Sequence, residues 1–327
     1  MRLARIGAEP ERWALVEADG LVEISETLRE LIAGAAPTAT GRRLDPAHTT
    51  LLAPVSEQCR GVFCTGINYV AHQQESAEAF AATVPPHPII FFKTVSALCG
   101  PHDELPLDRS VSAEFDWEGE VGVVIGTGGR DIPVESALEH VFAYTVVNDI
   151  TARDVQRRHQ QWHLGKNVDA STPVGPWLVT ADEFAGRALP ADTVVELRVN
   201  GVTKQRAVTA DMIFDIATQI SVISSTTALL PGDVISTGTP AGVGFTRTPP
   251  EFLAAGDVVE TEVAGVGLLR NVVRAGAATT AATTAATATS PAERAPAGRA
   301  PAEPAPAPAA AAPAGAGSVS SDRRVSA

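Results

Sequence analysis

The sequence predicts a β-rich α+β protein with an unstructured C-terminal tail, and three observations carry this. Apolar runs of strand length recur along the chain, among them Val121–Ile125 and Tyr144–Val147. Turn dipeptides of hairpin type, Asp19-Gly20 and Asn200-Gly201, sit between strand-like runs. From Ala275 to Ala327 the composition collapses towards Ala, Thr, Pro, Ser and Gly, without aromatics, Leu or Ile. Such a segment cannot bury enough apolar surface to offset its ordering entropy.

The 327 residues suffice for one or two domains. The composition divides them into a small N-terminal α/β unit (1–58), a larger unit (59–274) and the tail (275–327). A net charge of −13 argues against nucleic acid or an anionic membrane surface as partner. No apolar run approaches the ~20 residues that span a bilayer. The opening residues lack the apolar segment of a signal peptide. Cys59, Cys64 and Cys99 have no metal-type spacing, and their odd number fits a reducing compartment, so a cytoplasmic location is expected.

In the first unit, strands flank Asp19-Gly20, and Ser25–Ala35 reads as a helix with Ser25 as its cap. An apolar strand then enters a turn and a helix on which His72 and Glu75, three apart, share a face. Pro-rich sequence ends that helix, and IIFFK reads as a buried strand closing on Lys93. Gly126–Arg130 is a glycine-rich turn with neither the dinucleotide fingerprint nor a P-loop. Val134–Phe142 is a helix candidate behind Pro133. Thr151 reads as the cap of a short helix carrying Arg153 and Gln156, and Lys166 follows a glycine in a loop. The pair VVELRV and VTKQR forms a hairpin about Asn200-Gly201. Asp211–Leu229 has apolar residues at helical spacing, its Met and Phe belonging to the core. Thr237–Gly244 is a loop of small residues in which backbone N–H groups and the Thr239 hydroxyl can approach a ligand. A last hairpin occupies Phe252–Val273.

The chemistry concentrates around FDWEGEVGVVIG. Residues i and i+2 of a strand share a face, so Glu118 and Glu120 project together, and Asp149 can join them from an adjacent strand. Three converging carboxylates repel one another unless a cation neutralises them, and hard oxygen ligands favour Mg²⁺, Mn²⁺ or Ca²⁺. A His held by a Glu, as His72 by Glu75, can take a proton from water. Lysine is scarce in this Arg-rich chain: Lys93, Lys166 and Lys204 are the whole set. A lysine kept against that bias has a task for a compact charge with a tunable pKa.

The motifs GINYVAHQQE, FDWEGEVGVVIG, VVNDITARDVQ, GKNVD, PVGPW and PGDVISTGTPAGVG, in this order, resemble the fumarylacetoacetate hydrolase superfamily from about Gly61 to Arg274. The resemblance implies a rolled mixed sheet, usually in a homodimer. It implies that Glu118, Glu120 and Asp149 bind one Mg²⁺ or Mn²⁺, and that His72 and Glu75 activate water on a lid over Ala71–Pro86. Lys166 would reach a substrate oxygen, and Arg153, Gln156 and Thr239 would line the pocket. GKNVDAS departs from the pattern, where members more often carry Ser and an aromatic after the Lys. The activity expected first is C–C hydrolysis of a 2-keto or diketo acid of the acylpyruvate type, through an enolate and water activated by His72 and Glu75. The same enolate also serves an isomerase or decarboxylase of a hydroxy-diene-dioate or oxo-tricarboxylate. A catalytically silent metal-binding dimer would have lost a ligand or the dyad, and neither is lost here.

Overall fold

The computed structural model describes residues 1–7, 10–55, 59–77, 84 and 86–276. The expected tail lies outside the described residues except for Ala275 and Gly276, and most of the second half of the expected lid lies outside them too. In chain order the strands are β1 (Arg2–Gly7), β2 (Arg12–Glu17), β3 (Gly20–Ile24), β4 (Ala39–Leu44), β5 (Val62–Gly66) and β6 (Ile89–Lys93). There follow β7 (Leu98–Cys99), β8 (Leu105–Leu107), β9 (Phe115–Asp116), β10 (Gly119–Ile125), β11 (Val141–Asn148) and β12 (Thr151–Ala152). The last six are β13 (Thr172–Thr180), β14 (Val194–Val199), β15 (Val202–Val208), β16 (Val234–Ser236), β17 (Val258–Val263) and β18 (Gly267–Ala275). Among the described residues five α-helices join them: α1 (Leu28–Ile32), α2 (Val70–Glu75), α3 (Arg153–Arg158), α4 (His163–Lys166) and α5 (Ile216–Thr226).

An 11-stranded mixed sheet runs β4-β3-β2-β1-β13-β11-β10-β16-β5-β6, with β7 attached to β13. Its β16–β5 and β13–β7 pairings are parallel. The N-terminal strands therefore extend the same sheet that carries the site, joined through β1 on β13. A five-stranded sheet, β15-β14-β17-β18-β8, packs against the middle of the first. β10 is buried on both faces, as a central strand requires. Its Val121, Val123 and Ile125 meet Val195, Val263 and Leu269 between the sheets. Val124, of opposite parity, packs with Ala143 and Val147 against Leu28, Leu31 and Trp13. Glu118 and Glu120 have the parity of Val124, and Asp149 that of Val147. The pairing Gly119↔Asn148 and Glu120↔Val147 puts Glu118 opposite Asp149 on the next rung, where the Asp149 N–H donates to the Glu118 carbonyl at 2.8 Å.

Several elements differ from expectation at their ends. The first helix starts after Thr27, not Ser25, because Thr27 and Glu30 form a reciprocal capping box while the Ser25 N–H pairs with the Thr38 carbonyl. Val134–His140 is a 3₁₀ turn rather than an α-helix, and Phe142 already lies in β11. Thr151 does not cap α3; it pairs in β12, and its hydroxyl donates to the Asp149 carbonyl at 3.0 Å. Helix α5 begins later than expected, at Ile216, behind the cap Asp215, whose carboxylate accepts from the Thr218 N–H. The three cysteines are buried free thiols. Among the described residues no helix is long and apolar enough to cross a membrane.

Leu197 is fully buried, and the second sheet meets β10 through it, close to Gly119. Leu197→Ala is expected to lower the unfolding free energy by about 2–5 kcal/mol, read as a lower urea midpoint at unchanged slope. A loss below ~0.5 kcal/mol would mean the sheets do not pack at this point.

Candidate active site

The site lies where β10 begins and β11 ends. One oxygen from each of Glu118, Glu120 and Asp149 falls within 4.8 Å of the others, and all three residues are buried. Such a charge cluster needs partners. Lys166 Nζ donates to Glu118 Oε2 at 2.5 Å and to Asp149 Oδ2 at 2.7 Å. Lys93 Nζ, wholly buried, donates to Asp149 Oδ1 at 2.6 Å and to the Ile150 carbonyl at 3.2 Å. Arg153 Nη2 lies 2.6 Å from Glu118 Oε1, an ion pair without hydrogen-bond alignment. Its Nε donates to Asp116 Oδ2 at 2.9 Å, and its Nη1 to Gln156 Oε1 at 3.1 Å.

Glu120 is treated differently. Its Oε2 accepts from the Ser236 hydroxyl at 2.5 Å and the Gly238 N–H at 2.9 Å, both neutral donors. Burial, then the negative charges of Asp149 and Glu118, push its carboxyl up to about 8. Burial also raises Glu118, but Lys166 and Arg153 outweigh it and hold that carboxyl well below the ordinary range. Burial alone would depress Lys166; the Asp149 and Glu118 carboxylates overcome this, and it stays protonated. The donor set therefore fits a divalent cation: three carboxylate oxygens within 4.8 Å of one another, one of them without a cationic partner of its own.

His72 lines the same cleft. Its Nδ1 lies 2.7 Å from Glu75 Oε1, and Glu75 is itself held by the Gly242 N–H at 2.9 Å and the Thr246 hydroxyl at 3.2 Å. Gly242 has φ +105°, and a Cβ there would fall 2.0 Å from the Lys204 carbonyl, so the loop can bring its N–H to Glu75 only with glycine at this position. The Thr239 hydroxyl donates to the Gly119 carbonyl at 3.1 Å. Gln205 joins the two segments: its Nε2 donates to Thr239 Oγ1 at 2.8 Å, and its Oε1 accepts from the Gly119 N–H at 2.9 Å. Gly165 lets α4 press against α3, since a Cβ there would lie 2.7 Å from Gln156 atoms, and this contact delivers Lys166 into the site. The space left between these groups is about 20 Å³, enough for one water or ion.

All nine residues singled out in the sequence thus gather here. His72, Glu118, Glu120, Arg153, Gln156, Lys166 and Thr239 line the space, with Glu75 behind His72 and Asp149 beneath Lys166. Lys166 ends a short helix rather than lying in a loop. Sequence reasoning gave no site role to Asp116, Lys93, Gln205 or Ser236. Asp116 orients Arg153 and accepts from the Gly244 and Phe245 N–H groups at 2.7 and 3.1 Å. For Lys93 the scarcity of lysine was the available signal. Gln205 and Ser236 gave none, because each reaches the site from a strand remote in sequence.

A cleft at the junction of β10 and β11, lined by a histidine that a glutamate holds, by a lysine and by carboxylates of a buried acidic cluster, is a site that could hold a divalent cation and move a proton beside it. The chain belongs to the fumarylacetoacetate (FAA) hydrolase C-terminal family, whose profile matches residues 61–274. It is 41% identical over 227 residues to "Oxaloacetate tautomerase YisK" of Bacillus subtilis, covering 69% of this chain and 74% of that protein. It is 43% identical over 232 residues to the human mitochondrial "Oxaloacetate tautomerase FAHD2A", covering 70% and 71% respectively. Among solved structures, a fumarylacetoacetate hydrolase of Exiguobacterium antarcticum superposes with a TM-score of 0.73 at 37% identity, covering 84% of this chain and 99% of that one.

Glu120 gives the metal-free protein a characteristic pH dependence. Its carboxyl sits at about 8 in the fold against an ordinary 4.5. Its contribution to stability is therefore complete below the ordinary value and lost as pH rises through the folded one. With a chelator present, the Tm of the wild type is expected to fall relative to Glu120→Gln between about pH 5 and about pH 9. Saturating Mg²⁺ or Mn²⁺ should remove that fall. Parallel Tm curves for the two chelated proteins would show that Glu120 is not held protonated.

Proposed function

We propose that this protein is a divalent-metal-dependent keto–enol tautomerase of a short 2-keto acid, with oxaloacetate the first substrate to test. The single observation that carries the reading is that one proton-transfer group, His72, lines the same cleft as Glu118, Glu120 and Lys166. The names of the relatives at 41% and 43% identity point to the same reaction class.

Tautomerisation moves one proton between C3 and the keto oxygen of the substrate and needs no co-substrate. Glu118, Glu120 and Asp149 would hold the cation, which when bound supplies Lewis-acid polarisation of the keto oxygen. Lys166, kept protonated, adds positive charge at the same oxygen as the enolate develops. Glu75 engages His72 Nδ1, which leaves Nε2 as the atom that takes the proton from C3 and returns it to oxygen. Arg153, anchored by Asp116 and Gln156, and Thr239, anchored by Gln205, form the polar walls.

C–C hydrolysis of an acylpyruvate is the second reading, and the His72–Glu75 pair favours it: the same pair can deprotonate a water for attack on the remote carbonyl. The product separates the two. The protein with Mg²⁺ or Mn²⁺ is expected to speed the decay of oxaloacetate enol absorbance, and a chelator to abolish the effect. His72→Ala should lower that rate by about 10²–10⁴ without loss of metal binding. If oxaloacetate is untouched while an acylpyruvate yields pyruvate and a free acid by mass, the hydrolase reading replaces the tautomerase.

A further inference from the structure

The two lysines on Asp149 are not equivalent. Lys93 ends β6, in register with Val62 of β5. Its ammonium is wholly buried and bonds both Asp149 Oδ1 and the Ile150 carbonyl, a backbone anchor. Lys93 does not line the cleft. Lys166 does, from the end of a four-residue helix, with its Nζ on Glu118 Oε2 and Asp149 Oδ2 and 4.8 Å from the Phe91 ring centroid. Its ammonium thus bridges two of the three carboxylates that could hold a cation here.

The geometry points to a division of labour, in which Lys93 is a positioning residue and Lys166 a place-holder. Lys93 keeps Oδ1 of Asp149 permanently occupied, so that Asp149 faces the cleft through Oδ2 alone. Lys166 covers Oδ2 and Glu118 Oε2 in the metal-free protein, and a divalent cation held by these carboxylates would have to displace it. This rests on the metal-dependent reading above. Coulomb's law alone makes the opposite statement about Lys93: removing a positive charge close to a cation site should tighten binding. Positioning wins if the loss of Lys93 leaves Asp149 with a buried, unpaired oxygen and no fixed orientation, since groups that orient a ligand typically govern metal affinity by 10–100-fold.

The test is Mn²⁺ binding to the whole, metal-stripped protein, by calorimetry and by Mn²⁺ electron paramagnetic resonance. Lys93→Met is expected to weaken Mn²⁺ by about 10–100-fold. Lys166→Met is expected to tighten it, because a competitor for two ligand oxygens is gone. Leu178→Ala, a core change remote from the cleft, should lower Tm yet leave Mn²⁺ affinity unchanged, which separates positioning from general loss of stability. If Lys93→Met does not fold, Lys93→Gln takes its place, with weakened binding again expected. Unchanged or tighter binding in the Lys93 variant that folds overturns the positioning role. Weaker binding in Lys166→Met overturns the place-holder role. A wild type that binds no Mn²⁺ at all removes the metal-dependent reading beneath both.

Discussion

The pairing of β10 with β11 places Glu118 opposite Asp149 with Glu120 one step along the same face, and the rest of the site answers the charge this creates. Both strands are central, so the carboxylates are out of water on every side. Three negative groups in such a place are tolerated only with partners. The chain supplies Lys93, Lys166 and Arg153 as cations, and Ser236 and Gly238 as neutral donors.

That compensation is incomplete by construction. Glu118 and Asp149 have cationic partners; Glu120 has a hydroxyl and a backbone N–H, and its carboxyl is pushed up to about 8 by burial and by its two neighbours. Full neutralisation by side chains would leave nothing for a ligand to do. An acidic group with no cation of its own, facing a small space beside a histidine, keeps a position open for exogenous charge.

The scaffold around the carboxylates is a chain of supports rather than a single wall. Asp116 fixes Arg153, Gln205 ties Thr239 to Gly119, and the Gly242 N–H holds Glu75, which holds His72. These supports come from β9, β15 and the loop after β16, segments more than a hundred residues apart at their extremes. Each functional group therefore depends on the closure of both sheets, not on its own element.

The sequence by itself determined the β-rich class, the Asn200-Gly201 hairpin turn and the nine side chains that meet in the cleft, whereas Met212 only packs, half-buried, against the core and Phe214 belongs to none of its clusters. It could do so because Glu118-x-Glu120 obeys the period of a strand and His72-x-x-Glu75 that of a helix, and local period is written in local sequence. Helix ends were less legible, since the choice between Ser25 and Thr27 turned on whether the Ser25 N–H had a strand partner in Thr38. What only the tertiary structure decided is which charge answers which. Gln205 and Ser236 are silent in sequence because their partners lie 34 and 116 positions away, and for Lys93 the scarcity of lysine marks the residue but not its partner, 56 positions on. Their roles exist only once the register of β10, β11 and β16 has brought an unpaired oxygen within hydrogen-bond reach.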